Sequence, residues 1–145
     1  MKVCGVEIKG NEAIICLLSL DDGVFHIPDC RVRKVTLEKV DRREALQAFQ
    51  REFAKLMLDY SVEKVVIRQR PMKGKFAGGA VGFKIEAAIE LIKELDVQIL
   101  TPLEIKTLQK HNPLPVSFEE TGVKIFQEGA FSTAFAFLSR SSNQE

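Results

Sequence analysis

Tryptophan is absent from this 145-residue chain, tyrosine occurs once, and the only histidines are His26 and His111. Neither histidine has a cysteine or an acid at ligand spacing, which argues against an imidazole-bound metal centre. The three cysteines, Cys4, Cys16 and Cys30, include no CxxC pair. Such a set gives neither a disulfide framework nor a metal knuckle, and its apolar surroundings predict buried, reduced thiols. No apolar run approaches the roughly 20 residues that cross a bilayer, and no signal segment is recognisable at the N-terminus. A cytoplasmic location without a membrane partner is the expectation. Charge of one sign is also missing: 21 Lys and Arg against 20 Asp and Glu leave a formal net charge of +1. Affinity for nucleic acid would have to come from a local patch.

What is present is apolar material. Hydrophobic residues make up 46% of the chain, with ten Phe. That suffices for one packed domain over residues 1–140, followed by a polar tail over 141–145. Val3 to Ile8 is an apolar-rich strand, Lys9-Gly10-Asn11-Glu12 is turn chemistry, and Ala13 to Leu20 is a second strand. Asp21-Asp22-Gly23 marks another turn, Pro28-Asp29 interrupts the next stretch, and Arg31 to Leu37 alternates basic and apolar residues like an outer strand.

Asp41-Arg42-Arg43-Glu44 reads as a capping box. Behind it Leu46, Phe49, Phe53, Leu56, Met57 and Tyr60 recur at helical spacing. Val62 to Ile67 is a short β-branched run that suits a buried strand reached by a crossover. Val81, Ile85, Ala88, Ile89, Ile92 and Leu95 mark a second helix, and Val97 to Leu100 a further strand. Thr101-Pro102-Leu103-Glu104 combines an N-cap, Pro at the first helical position and a first-turn acid. Ser117-Phe118-Glu119-Glu120 is a last capping box, predicting a final helix from there to about Ser139. The order predicts an α/β fold: a mixed five-stranded sheet, three antiparallel then two parallel strands, with helices on both faces.

That order resembles the ribonuclease H-like superfamily. Val3-Cys4-Gly5-Val6-Glu7-Ile8-Lys9-Gly10 is similar to the first strand of the RuvC Holliday-junction resolvases, an apolar run, Gly-Ile-Asp and a Gly turn. Val62 to Ile67, Phe76 to Leu95, Thr101-Pro102-Leu103-Glu104-Ile105-Lys106 and Ala134 to Leu138 resemble later segments of the same family. The resemblance covers most of the chain, is diffuse, and extends to an uncharacterised bacterial family of that superfamily.

The resemblance implies a site in which two Mg²⁺ ions are held by carboxylates from the first strand, the fourth strand and the last helix. Here Glu7 takes the first position. The second falls on Arg68, a cation, and the last-helix acids fall near Ser132 or Thr133, both neutral. Several carboxylates are needed to offset two divalent ions, so a degenerate two-metal site without cofactor is expected. Arg68 either pairs with Glu7 or faces solvent. Glu128, one turn earlier on the last helix, is the residue that would compensate in a divergent Mg- or Mn-dependent nuclease.

Between Lys64 and Ile85 lie six basic residues, Lys64, Arg68, Arg70, Lys73, Lys75 and Lys84, and no acid. Gly74, Gly78, Gly79 and Gly82 leave the backbone open to a ligand, and the segment opens a helix. The spacing matches neither Walker A nor GxGxxG. An anion or nucleic-acid contact through Arg68, Arg70, Lys73, Lys75, Gly78, Gly79 and Lys84 stands against a solvated loop. Phe76 is the one aromatic that offers a stacking platform there. Ser132-Thr133 lacks a nucleophile-elbow context, and Glu86, Glu90 and Glu94 read as a solvated helix face. Phe126, Phe131, Phe135 and Phe137 read as core, any exposed member marking a partner surface. Three readings remain: a nucleic-acid-binding domain that does not cleave, a divergent nuclease using Glu7, and a protein-interaction or homodimer module.

Overall fold

The computed structural model describes residues 1–71 and 79–143. Strands β1 (Lys2–Lys9) and β2 (Glu12–Asp21) form an antiparallel hairpin with Lys2 opposite Ser19 and Lys9 opposite Glu12. Gly10 closes the turn with φ +58°, where a side chain would be strained. Strand β5 (Lys64–Arg68) lies parallel to β1, and β6 (Val97–Leu100) parallel to β5. The third antiparallel position is filled by two short segments, β3 (Val24–His26) and β4 (Lys34–Thr36), both paired with β2. Pro28 lies in the gap between them and cannot donate to a ladder. Among the described residues the sheet therefore has six strands where five were expected, in the order β3-β2-β1-β5-β6 with β4 also on β2.

Among the described residues, four α-helices cover the sheet: α1 (Arg43–Asp59), α2 (Ala80–Glu90), α3 (Pro102–His111) and α4 (Glu128–Asn143). Alternation along β1 decides what each layer receives. Cys4, Val6 and Ile8 join Phe49, Phe53, Ile85 and Ile89 beneath α1 and α2. Val3, on the other face, joins Ile105, Ala130, Ala134 and Phe135 beneath α3 and α4.

The helix starts separate by mechanism. Thr101 caps α3, its Oγ1 accepting from the Glu104 N–H at 3.1 Å, with Pro102 at the start. The Asp41 box does not form: α1 begins after Arg42 without a side-chain cap. The Ser117 box opens only a 3₁₀ turn, Phe118–Thr121, which Gly122 ends at φ +76°. Helix α4 starts at Glu128, and it runs to Asn143, into the stretch expected as a polar tail. Its start is pinned by Gln127, buried, whose Nε2 donates to the Ile15 carbonyl at 2.8 Å and whose Oε1 accepts from Lys124 N–H at 3.2 Å.

Helix α4 lies on β1 at the distance that glycine allows. A Cβ at Gly5 would collide with the Ala130 carbonyl oxygen and stand 3.0 Å from Ala134 Cβ. Both obstacles sit on a helix whose neighbours are buried, so neither yields cheaply. Gly5→Ala is expected to cost about 1–3 kcal/mol or more by overpacking, read as a lower urea midpoint. A midpoint equal to the wild type would show that α4 rides higher on the sheet.

Candidate functional site

The parallel register pairs Val6 with Ile67. One residue further, Glu7 and Arg68 are neighbours at the carboxyl ends of β1 and β5. Alternation puts both on the α4 side, with Val3 and Val66. This is the edge at which open α/β sheets present ligand-binding groups.

Glu7 reaches that edge under the first turn of α4. Its carboxyl group lies directly against Gly129, where any Cβ would collide with it. The amino end of a helix favours a negative charge. The Glu7 side chain is 20% exposed, and its Oε1 lies 3.4 Å from Lys9 Nζ. That oxygen is buried and accepts no hydrogen bond, so the contact with Lys9 is ionic only. Arg68 is half-buried and makes no ion pair with another described residue. The Glu7–Arg68 pair entertained from sequence is thus not formed. Lys9, two residues along the same strand, supplies the counter-charge instead.

The positions of the other expected metal ligands, Arg68, Ser132 and Thr133, carry no acid. Thr133 is fully buried and its hydroxyl donates to the Gly129 carbonyl at 2.8 Å, which is a helix-internal bond. Ser132 is half-buried, and Glu128 is exposed, one residue before the glycine that touches Glu7. Among the described residues no group of three or more His, Cys, Asp or Glu is arranged to hold a metal ion. Among the described residues the donor set at the ends of β1 and β5 is one carboxylate, with Lys9 against it and Arg68 on the neighbouring strand. It does not fit a pair of divalent cations.

Arg70 lies on the other side of the strand end. Its Nη1 donates to the Ile8 carbonyl, its guanidinium stands 5.8 Å from the Phe83 ring centre, and it occupies the space that a side chain at Gly82 would need. This arginine is already engaged within the protein, although its Nε is buried without a partner. Gly79 is the N-cap of α2, and Lys84 donates from Nζ to the Val40 carbonyl at 2.8 Å. Lys73, Lys75 and Gly78, with Gly74 and Phe76, lie outside the described residues. His26 and His111 are exposed. Cys4 and Cys16 are buried and Cys30 half-buried, all free. Burial, with a contribution from Cys30, pushes the Cys16 thiol up to about 12, so it stays protonated.

Two features escaped the reading of the residues. Glu86 is half-buried, not part of a solvated face, and helix α2 ends at Glu90, before Glu94. Phe126 is 41% exposed and Ile125 80%, whereas Phe131, Phe135 and Phe137 are buried. The short 3₁₀ turn Ile125–Gln127, too short to show periodicity, holds the exposed pair out.

The strand order, the two helical layers and the position of Glu7 define a ribonuclease H-like α/β domain. The chain belongs to the family described as Protein of unknown function (DUF3010), whose model matches residues 1–137. Its fold is similar to that of RuvC from Thermus thermophilus, at TM-score 0.75, 11% identity, and coverage of 99% of this chain and 97% of that one. T. thermophilus RuvC in complex with a Holliday junction substrate gives TM-score 0.67 at 9% identity, covering 98% and 95%. The fowlpox virus Holliday junction resolvase gives TM-score 0.57 at 12% identity over the full length of both chains. No curated protein matches the sequence.

Glu86 makes a pH prediction. Burial pushes its carboxyl pKa up, Glu90 adds to the rise, and Arg70 opposes it; Oε2 is buried without a hydrogen bond. A carboxyl raised on folding stabilises the fold below the ordinary glutamate range, and that contribution is lost as pH rises through the raised value. At neutral pH the charged group is therefore a cost. Glu86→Gln is expected to raise Tm at pH 7, with the gain shrinking as the pH falls into the ordinary glutamate range. A lower Tm at pH 7 would show that the attraction of Arg70 dominates.

Proposed function

We propose that this chain is a nucleic-acid-binding ribonuclease H-like domain that does not cleave what it holds. One observation carries the reading. At the strand ends where the resembled resolvases gather carboxylates, the described residues place one acid, Glu7, pressed under α4, with Lys9 against it and Arg68 on the neighbouring strand. With the metal ligands gone and cations in their neighbourhood, the surface favours a phosphate backbone and gives no seat to paired magnesium. The likeness to the resolvases supports the ligand class, since one of those structures holds a Holliday junction. Buried reduced thiols are consistent with a cytoplasmic setting.

Binding follows from charge alone in this reading. Fluorescence anisotropy with linear duplex, four-way junction and single-stranded probes is expected to show affinity that falls between 50 and 200 mM salt and is indifferent to Mg²⁺. Replacing Lys9 and Arg68 together by Ala removes two phosphate contacts. The slope of log affinity against log salt should then flatten by about two units on duplex, or less on a single strand. Absence of binding to every probe at low salt would overturn the proposal.

Cleavage is the separate test. Incubation of the same probes with Mg²⁺ or Mn²⁺ is expected to leave them intact, and neither ion is expected to raise Tm. Strand scission that disappears in Glu7→Gln would establish instead a nuclease built on that one carboxylate.

A further inference from the structure

One margin of the sheet is β3, and its outer edge is bare. Leu20 turns its N–H and carbonyl inward, where they exchange hydrogen bonds with Met1 at 3.0 and 2.8 Å. Its ladder partner is Phe25. Antiparallel positions alternate, so the Phe25 N–H and carbonyl turn outward, away from β2. Neither group bonds another described residue. Edge strands are often blunted by lysine or proline, and Val24–His26 contains neither.

Along that edge lies a cleft of about 610 Å³, within the range of roughly 300–1,000 Å³ that ligand pockets occupy. Phe25, Phe131 and Phe135 line it, with Val116 from the segment after α3. The Phe25 and Phe135 ring centres are 4.9 Å apart and those of Phe131 and Phe135 6.0 Å, so the three rings make one continuous wall. Val24 and Val116, also in the lining, stay 54% and 44% exposed. Among the described residues no Lys or Arg lines the cleft, and its titratable side chains are His26 and Glu120. Asp22 adjoins Gly23, itself part of the lining, and Glu119 adjoins Glu120. These three acids are exposed, and none forms an ion pair with a described residue.

Open backbone groups, an apolar wall and unpaired acids together select an occupant. Main-chain bonds to a sheet edge hold extended peptides, whose alternate side chains enter the pockets alongside. A second copy of the chain is a poorer match. Pairing β3 with its own copy would gather both sets of Asp22, Glu119 and Glu120 in one interface, where like charges repel. We infer that the edge of β3 and its cleft dock an extended segment of a partner protein, in which an apolar side chain is flanked by Lys or Arg. The Phe25 N–H donates to a carbonyl of that segment, and the Phe25 carbonyl accepts from an amide of it. The apolar side chain rests on the wall of three rings, and the basic residues meet the acids. This margin of the sheet is separated from β5 and Arg68 by β2 and β1, so the inference does not rest on the nucleic-acid reading.

The experiment uses the full chain and short capped, fluorescein-labelled peptides. Each has an apolar centre with lysines at both ends, the central residue being valine, leucine, methionine or phenylalanine. Anisotropy is expected to show saturable binding of at least one peptide at low salt. Exchanging its lysines for glutamates should weaken it about tenfold, and so should N-methylation of the central amide. Glu119→Lys together with Glu120→Lys should reverse the preference, so that the glutamate peptide binds better than the lysine one. Hydrogen exchange of the Phe25 amide should slow in the complex. Failure of every lysine peptide to bind would overturn the inference. Binding that leaves Phe25 exchange unchanged would also overturn it, since the peptide would then sit elsewhere. So would a Phe25 amide already protected in the wild type and released on dilution, because the edge would then belong to a dimer. None of these results depends on whether the chain binds nucleic acid.

Discussion

The close approach of α4 to β1 sets nearly everything else in this molecule. Gly5 and the Ala130 backbone meet where any side chain would collide, and Gly129 and Glu7 meet one residue earlier on the helix and two residues further along the strand. Two glycines on two elements thus fix one helix on one strand. The fit places the amino end of α4 over the carboxyl end of β1, so the first helical turn faces the Glu7 carboxylate. Helix-end dipole and acid are matched in sign. The Gln127 bridge to Ile15 holds the same turn against β2. Glu7 is consequently fixed in place by packing on one side and by Lys9 on the other, with little freedom to reach a ligand of its own.

Electrostatics then decides what the edge is able to hold. Two divalent cations a few ångströms apart repel strongly in a medium of low dielectric, and converging carboxylates are what offset that repulsion. One carboxylate shared with an ammonium group leaves no negative charge to spare. A guanidinium at the neighbouring strand end worsens the balance for a cation and improves it for a phosphate. On the proposed reading the same fold and the same edge would serve ligands of opposite sign, and the choice would rest on Arg68 and Lys9 more than on Glu7. Fold and chemistry are separable in this way because the core is built from alternate residues of each strand, and the edge from the rest.

Much of the architecture was legible because its signals are periodic. Phe49, Phe53, Leu56 and Met57 repeat at helical spacing and are buried as a set beneath α1. The Thr101-Pro102-Glu104 start is stereochemical and local, and it forms as read. Other local signals lost to tertiary context. Asp41 has the right spacing to Glu44, yet α1 starts without it, and Ser117 precedes only a 3₁₀ turn, which Gly122 stops. At the site, the sequence carried the identity of Glu7 and Arg68 and their adjacent strand ends. It did not carry their partners. Lys9 is two residues from Glu7 and therefore on its face, which strand alternation would have shown. Glu86 lies at helical spacing from Glu90 and differs from it in being half-buried and within the field of Arg70. That is a contact between distant segments, and no pattern within α2 announces it.

Phe126 illustrates the remaining gap between pattern and position. Its relatives in the same segment, Phe131, Phe135 and Phe137, are core residues, and composition alone makes all of them look alike. What separates it is the shape of the helix entry. Gln127 is turned inward to bond the Ile15 carbonyl, and the neighbouring positions 125 and 126 are thereby turned outward. A buried polar side chain that must find its partner thus places an apolar ring in solvent. Exposure of that kind carries a hydrophobic cost, and at an isolated surface position it would be unremarkable. Here it sits in the turn that enters α4, three residues before the glycine that touches Glu7.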